Sequence, residues 1–160
     1  GSSLGNFTPD EAVDFLRNAR QLLDGGPLLL GLDQPREPAL MEAAYDDAAG
    51  VSAAFARNLL HRLNRDLSAN FEPDRFHYRA RWQADHRRVE MALVSRSLQS
   101  VTLEQQRWDF QEGEPLVTEY SIKYSPAMAQ DLAAAAGWRW VQRWHDPGDS
   151  LSLHLLVPAD

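Results

Sequence analysis

Cysteine is absent from the 160-residue sequence. That excludes disulfides, thiolate metal sites and a cysteine nucleophile, and it fits a cytoplasmic setting. An excess of basic charge is lacking too. Sixteen Lys and Arg stand against 23 Asp and Glu, giving a formal net charge of -7 and a pI near 5.2. The arginines are interleaved with acids, so there is no basic patch to neutralise phosphates, which argues against a nucleic-acid partner. No apolar run is long enough to span a bilayer and no signal peptide is recognisable, so a membrane is not an expected partner. The five histidines form no pair at i, i+3 or i, i+4 spacing, and no metal site is expected. There is no GxSxG elbow, P-loop or GxGxxG.

What is present is the composition of a folded domain. Hydrophobic residues make up 44% and charged residues 24%, with five Trp, six Phe and four Tyr, which excludes disorder. The length suits one domain or a substantial part of a larger one.

Gly1 to Phe7 is a small-residue loop whose first three residues also have the composition of an expression scar. Thr8-Pro9-Asp10-Glu11 then has capping-box spacing with Pro at the first helical position. A helix should start there and run through Phe15, Leu16, Ala19 and Leu22 to Gly25-Gly26. Leu28 to Leu32 reads as a strand buried on both faces, as in a parallel sheet. Gln34 to Pro38 is a punctuated connection and the first candidate boundary. Two helices are expected over Ala39 to Ala48 and Val51 to Ser68. In the second, Val51, Phe55, Leu59, Leu63 and Leu67 form an i, i+4 stripe that reads as core. Asp46 and Asp47 oppose the macrodipole at the end of the first and read as a solvated turn.

From Phe76 the period becomes two. Strands are expected over Phe76 to Trp82, Arg88 to Ser95, Gln99 to Phe110 and Leu116 to Tyr124, in an antiparallel meander. Ser125-Pro126 opens another helix, stopped at Gly137, and a hairpin from Trp138 to Val157 closes the chain. The second boundary falls at Tyr124-Ser125.

LVTEYSIKY, from Leu116 to Tyr124, puts Val117, Glu119, Ser121 and Lys123 on one strand face. Either this is the polar outer face of a half-exposed strand, or Glu119 and Ser121 grip a small ligand that carries hydrogen-bond donors. Met91 likewise reads as ordinary core or as the soft wall of a pocket.

Four stretches taken together carry a resemblance: GSSLGNF, AYDDAAGVSAAFARNLLHRLN from Ala44 to Asn64, RVEMALVSR from Arg88 to Arg96, and TEYSIKYSP from Thr118 to Pro126. In order and spacing they resemble the histidine-specific, S-adenosylmethionine-dependent methyltransferases, the hercynine-forming enzymes of ergothioneine biosynthesis. The resemblance implies an α/β fold: the C-terminal part of a Rossmann-like class I methyltransferase sheet, interrupted by an α+β substrate-binding domain with an antiparallel sheet. Residues 1–36 would belong to the methyltransferase core and 37–123 to the substrate domain, and 124–160 would return to the core. It further implies that Asn6 and Tyr45 hold the substrate's α-amino and carboxylate groups, that Met91 lines an imidazole pocket, and that Glu119 and Ser121 hydrogen-bond the imidazole. Ala56, Tyr120 and Ile122 depart from the family pattern, where Asn, Asn and Tyr are expected.

By the same resemblance the chain starts at the loop after the cofactor-binding half. Alone it is then expected neither to bind S-adenosylmethionine tightly nor to turn over, with a missing N-terminal half completing it in cis or in trans. Two alternatives stay open: the methyltransferase domain of an ovothiol-type synthase acting on thiohistidine, and a non-catalytic amino-acid-binding module.

Overall fold

The computed structural model describes residues 2–160; Gly1, with its part in the opening loop, lies outside them. The chain forms two compact units. One comprises Gly1–Glu37 (described from Ser2), Gln83–Arg88 and Tyr120–Asp160, the other Pro38–Trp82 and Val89–Glu119.

In the first unit a 3-10 turn over Ser3–Asn6 leads into helix α1, Pro9–Leu22. Its capping box forms as the spacing predicts. Thr8 N donates to Glu11 Oε2 at 2.8 Å and Glu11 N donates to Thr8 Oγ1 at 3.4 Å. Strand β1, Leu28–Asp33, pairs antiparallel with a later strand, and that strand pairs with a third, so the sheet order places β1 at an edge. This corrects the expectation of a parallel strand buried on both faces. Leu32 is fully buried but Leu29 is 58% exposed, because only one face of the sheet is covered by helices of this unit.

In the second unit α2 spans Pro38–Tyr45 and α3 spans Val51–Leu67. Strands β2, Phe76–Gln83, and β3, Arg88–Ser95, are followed by a separate hairpin, β4 at Gln99–Leu103 and β5 at Gln106–Phe110. The expected single strand from Gln99 to Phe110 is therefore two. Glu104 and Gln105 both take positive φ, 48° and 70°, which is the twist of a two-residue hairpin turn without the Asn-Gly pair that usually announces it. Strand β6, Pro115–Ile122, skips this hairpin and pairs with β3, giving the order β2-β3-β6. Two apolar clusters fill the unit, one around Leu60, Phe71, Phe76 and Phe110, the other around Met41, Ala80, Val89 and Met91.

The chain re-enters the first unit at Tyr120, and helix α4, Pro126–Ala135, follows there, capped by Ser125 Oγ, which accepts from Met128 N at 3.3 Å. Strands β7, Trp138–His145, and β8, Leu151–Pro158, complete the sheet β1-β8-β7. Ala12 and Leu16 of α1, with Ala129, Leu132 and Ala133 of α4, bury Leu32, Trp138 and Leu156. On that inner face Gln34 Nε2 donates to Ser152 Oγ at 2.5 Å, Ser152 Oγ meets His154 Nε2 at 2.7 Å, and Trp140 Nε1 donates to His154 Nδ1 at 3.1 Å. Every member of this chain thus has a partner, as buried polar groups require.

Candidate functional site

The second unit holds a cavity of about 500 Å³, within the usual range for small-molecule sites. Tyr45 enters it from the end of α2, Tyr78 from β2, Met91 from β3 and Glu119 from β6, while Val51, Phe55 and Leu59 of α3 supply an apolar wall. The α3 stripe read as core is therefore corrected at Val51, Phe55, Leu59 and Leu67, which are exposed, while Leu63 does pack against the core. Val51 is 67% and Phe55 76% exposed, and the helix buries Ala56 and Leu60 instead. Apolar residues recur on both sides of α3, and the face carrying Leu60 is the one packed on Phe76 and Leu93.

Asp47 explains how α3 is aimed. Its carboxylate accepts from Val51 N at 2.9 Å and Ser52 N at 2.8 Å, so the acid caps the next helix rather than ending the previous one in solvent. The hydrogen bonds from Ser52 and Val51 pull the Asp47 carboxyl down to about 2.

Tyr78 Oη donates to the carbonyl of Tyr45 at 2.8 Å, and Thr118 Oγ1 donates to that of Met91 at 3.1 Å. Burial, followed by the charges of Asp46, Glu119 and Asp47, pushes the Tyr78 phenol up to about 12. Tyr78 thus stays a neutral donor and locks the backbone that carries Tyr45. The result is a chiefly apolar chamber containing a carboxylate and phenol groups, suited to a ligand with a flat ring and N–H donors.

Of the five residues expected to bind substrate, Tyr45, Met91 and Glu119 line this cavity. Met91 is 7% exposed and packs with Met41 and Val89, so it is core and pocket wall at once. Asn6 and Ser121 lie in the first unit. Asn6 closes the 3-10 turn and is exposed; Ser121 is buried. Gly5 joins their surroundings, because a Cβ there would stand 2.6 Å from the Ile122 carbonyl oxygen and 3.5 Å from Ser121 Oγ. Phe55, Ser52 and Tyr78 were not legible as site residues. The signal available for Phe55 was a second apolar stripe on α3.

A larger cavity of about 620 Å³ in the first unit is not the candidate. Its Arg17 and Arg20 donate to the carbonyls of Ala135 and Ala159, at 3.2 and 2.9 Å, a structural use near a helix end. None of the five residues lines it.

The chain is similar to known proteins along nearly its whole length. A family model described as histidine-specific methyltransferase, SAM-dependent, matches residues 1–158. The histidine N-alpha-methyltransferase of Mycolicibacterium smegmatis is 42% identical over 98% of the chain and 50% of its own length. Its counterpart from Mycobacterium tuberculosis is 38% identical with the same coverage. The chain thus spans about half the length of the curated relatives it matches. Among solved structures, the CcbJ methyltransferase of Streptomyces caelestis matches all of the chain and 55% of its own, at 18% identity and a TM-score of 0.51, a likeness of fold alone.

Proposed function

This chain belongs to the histidine-specific, SAM-dependent methyltransferase family, and from that premise we propose that it is the substrate-binding part of an enzyme that methylates the α-amino group of L-histidine. The product would be hercynine, on the route to ergothioneine. The observation that carries this reading is the meeting of Tyr45, Met91 and Glu119 in one cavity. Glu119 accepts a hydrogen from an imidazole N–H, Met91 and Phe55 enclose the ring, and Tyr45 takes the polar end of the amino acid. Asn6 and Ser121 are assigned to the substrate on residue type and family resemblance.

Methyl transfer from a sulfonium to a neutral amine is an in-line displacement. The protein's task is to align the lone pair and exclude water, not to supply a strong acid or base. A site built around hydrogen bonds to the ring discriminates strongly against amino acids lacking those groups.

The cofactor chemistry named by the family, S-adenosylmethionine, does not fit the groups of this chain by themselves. A nucleoside cofactor in such folds uses a glycine-rich turn after a strand and a carboxylate for the ribose. Among the described residues of the first unit, the carboxylate that ends β1 is Asp33, and Lys123 Nζ engages it at 2.5 Å. We therefore assign cofactor binding to residues of the parent protein beyond these 160, and no turnover to this chain alone. The outer face of the first unit's sheet supports that assignment. Leu29 of β1, Leu151 of β8 and Val141 and Trp144 of β7 are 58, 44, 42 and 44% exposed, an apolar surface suited to further chain.

Glu119→Ala in the parent protein tests the reading. Losing a charge-assisted hydrogen bond should cost roughly 1.5 to 3 kcal/mol, a rise in histidine KM on the order of 10- to 150-fold. An unchanged KM would remove Glu119 from the substrate site.

A further inference from the structure

Phe76, Tyr78, Ala80 and Trp82 alternate onto one face of β2, and Tyr78 packs there against both apolar clusters of the second unit. Phenylalanine would serve that packing equally well. The hydroxyl instead reaches the end of α2, where helix carbonyls run out of partners within the helix, and donates to the Tyr45 carbonyl at 2.8 Å. One helical turn earlier, Trp82 N donates to Glu42 Oε1 at 2.8 Å. The last turn of α2 is thus tied to β2 at two points, and all four residues belong to the second unit. Beyond Tyr45 the chain turns at once through Gly50, at φ 73°, whose N–H donates to the Asp47 carbonyl at 2.8 Å, and enters α3.

We propose that Tyr78 is a positioning residue, whose hydroxyl fixes the Tyr45 backbone so that the Tyr45 side chain stands where the polar end of the amino-acid substrate is held. This rests on the histidine-binding reading above, which places Tyr45 against that end. A carbonyl only accepts, so the phenol hydrogen is committed to it and the direction of the bond is settled. The phenol, pushed up to about 12 by burial and then by the charges of Asp46, Glu119 and Asp47, keeps that hydrogen through the physiological range. The tie therefore does not titrate away. Helix ends fray where nothing holds them, and a misplacement of about 1 Å in a group that meets the substrate is already costly. Tyr78 also lines the cavity, so direct contact with the ligand is the competing role. The two roles differ in one respect: positioning acts through the Tyr45 side chain, and direct contact does not need it.

The experiment is a double-mutant cycle in the parent protein, with histidine KM and kcat measured for the unmodified enzyme, Tyr78→Phe, Tyr45→Ala and the variant carrying both. Tyr78→Phe removes one oxygen and keeps the packing. Alone it should raise KM about 3- to 10-fold, with kcat kept within about twofold. In the Tyr45→Ala background the same substitution should change KM by less than about 1.5-fold, because the side chain it positions is gone. An equal rise in both backgrounds would make Tyr78 an independent contact and overturn the proposal. So would an unchanged KM for Tyr78→Phe alone. Any loss of stability from removing the hydroxyl, read from the urea midpoint, is shared by both backgrounds and does not imitate the coupling. Failure of the unmodified protein to methylate or bind histidine would instead defeat the functional reading, and it would be seen before any variant was compared.

Discussion

Replacing Phe55 by Ala separates a site residue from a core residue, because the two roles predict opposite results. A Phe in a packed core costs about 3 to 5 kcal/mol when cut to Ala. Phe55 is 76% exposed, so only about a quarter of its roughly 200 Å² is hidden, worth about 1 kcal/mol at 25 cal/mol/Å². The better helix propensity of Ala returns about 0.5 kcal/mol in the middle of α3. The expected net loss of stability is therefore about 0.5 kcal/mol, measured as a small shift of the urea midpoint at unchanged m-value. As an internal reference, Leu60→Ala on the buried face, fully enclosed, should lose about 2 to 5 kcal/mol. Substrate affinity should move the other way. Loss of an aromatic wall against a ring costs roughly 1 to 2 kcal/mol, a 5- to 30-fold weaker histidine Kd in the parent protein. A stability loss above about 2.5 kcal/mol, or an unchanged Kd, would refute the assignment of this helix face to the cavity.

Two further outcomes follow from the packing. Gly5→Ala would force a Cβ to within 2.6 Å of the Ile122 carbonyl oxygen, a backbone atom with little room to yield. A cost of about 1 to 3 kcal/mol is expected, and unchanged melting would show that the turn sits elsewhere. His154 is held neutral, because burial and then Arg143 lower its pKa below the ordinary 6.5. With a depressed folded-state value, its contribution is fully present above pH 6.5 and is lost as pH falls from there through the folded value. His154→Gln should flatten that part of the stability-pH curve, and an unaltered curve would remove His154 as its cause.

How much of this was legible depended on whether a local pattern decided the outcome. Thr8, Pro9 and Glu11 make a complete capping box, and α1 begins where they place it. Ser125-Pro126 does the same for α4. Beyond such punctuation, the pattern left choices that packing makes. The i, i+4 stripe of Val51, Phe55 and Leu59 is a regular apolar face, but spacing does not say which of two apolar faces meets a sheet. Leu28 to Leu32 is continuous whether or not both faces are covered in this chain. Glu104-Gln105 forms a tight hairpin turn without glycine or asparagine, so the break between β4 and β5 had no residue to mark it.

The polar face of LVTEYSIKY is the most instructive case. Alternation put Glu119, Ser121 and Lys123 on one side, with a solvated outer face as the plain interpretation. Ser121 and Lys123 are instead 5% and 1% exposed. The partner that makes this possible, Asp33, is 90 residues away in sequence, and no periodicity reports a contact at that range. Tyr45, Met91 and Glu119 come from three separate elements, so only the fold could bring them to one cavity.

The central claim concerns what the parent protein does to histidine, and product mass spectrometry tests it most directly. The parent protein is incubated with S-adenosylmethionine and L-histidine, and fragmentation locates any added methyl groups. A trimethylated α-amine with an unmodified imidazole is the predicted product. A single methyl on a ring nitrogen, or histidine recovered unchanged by a folded protein that binds it, would contradict the account.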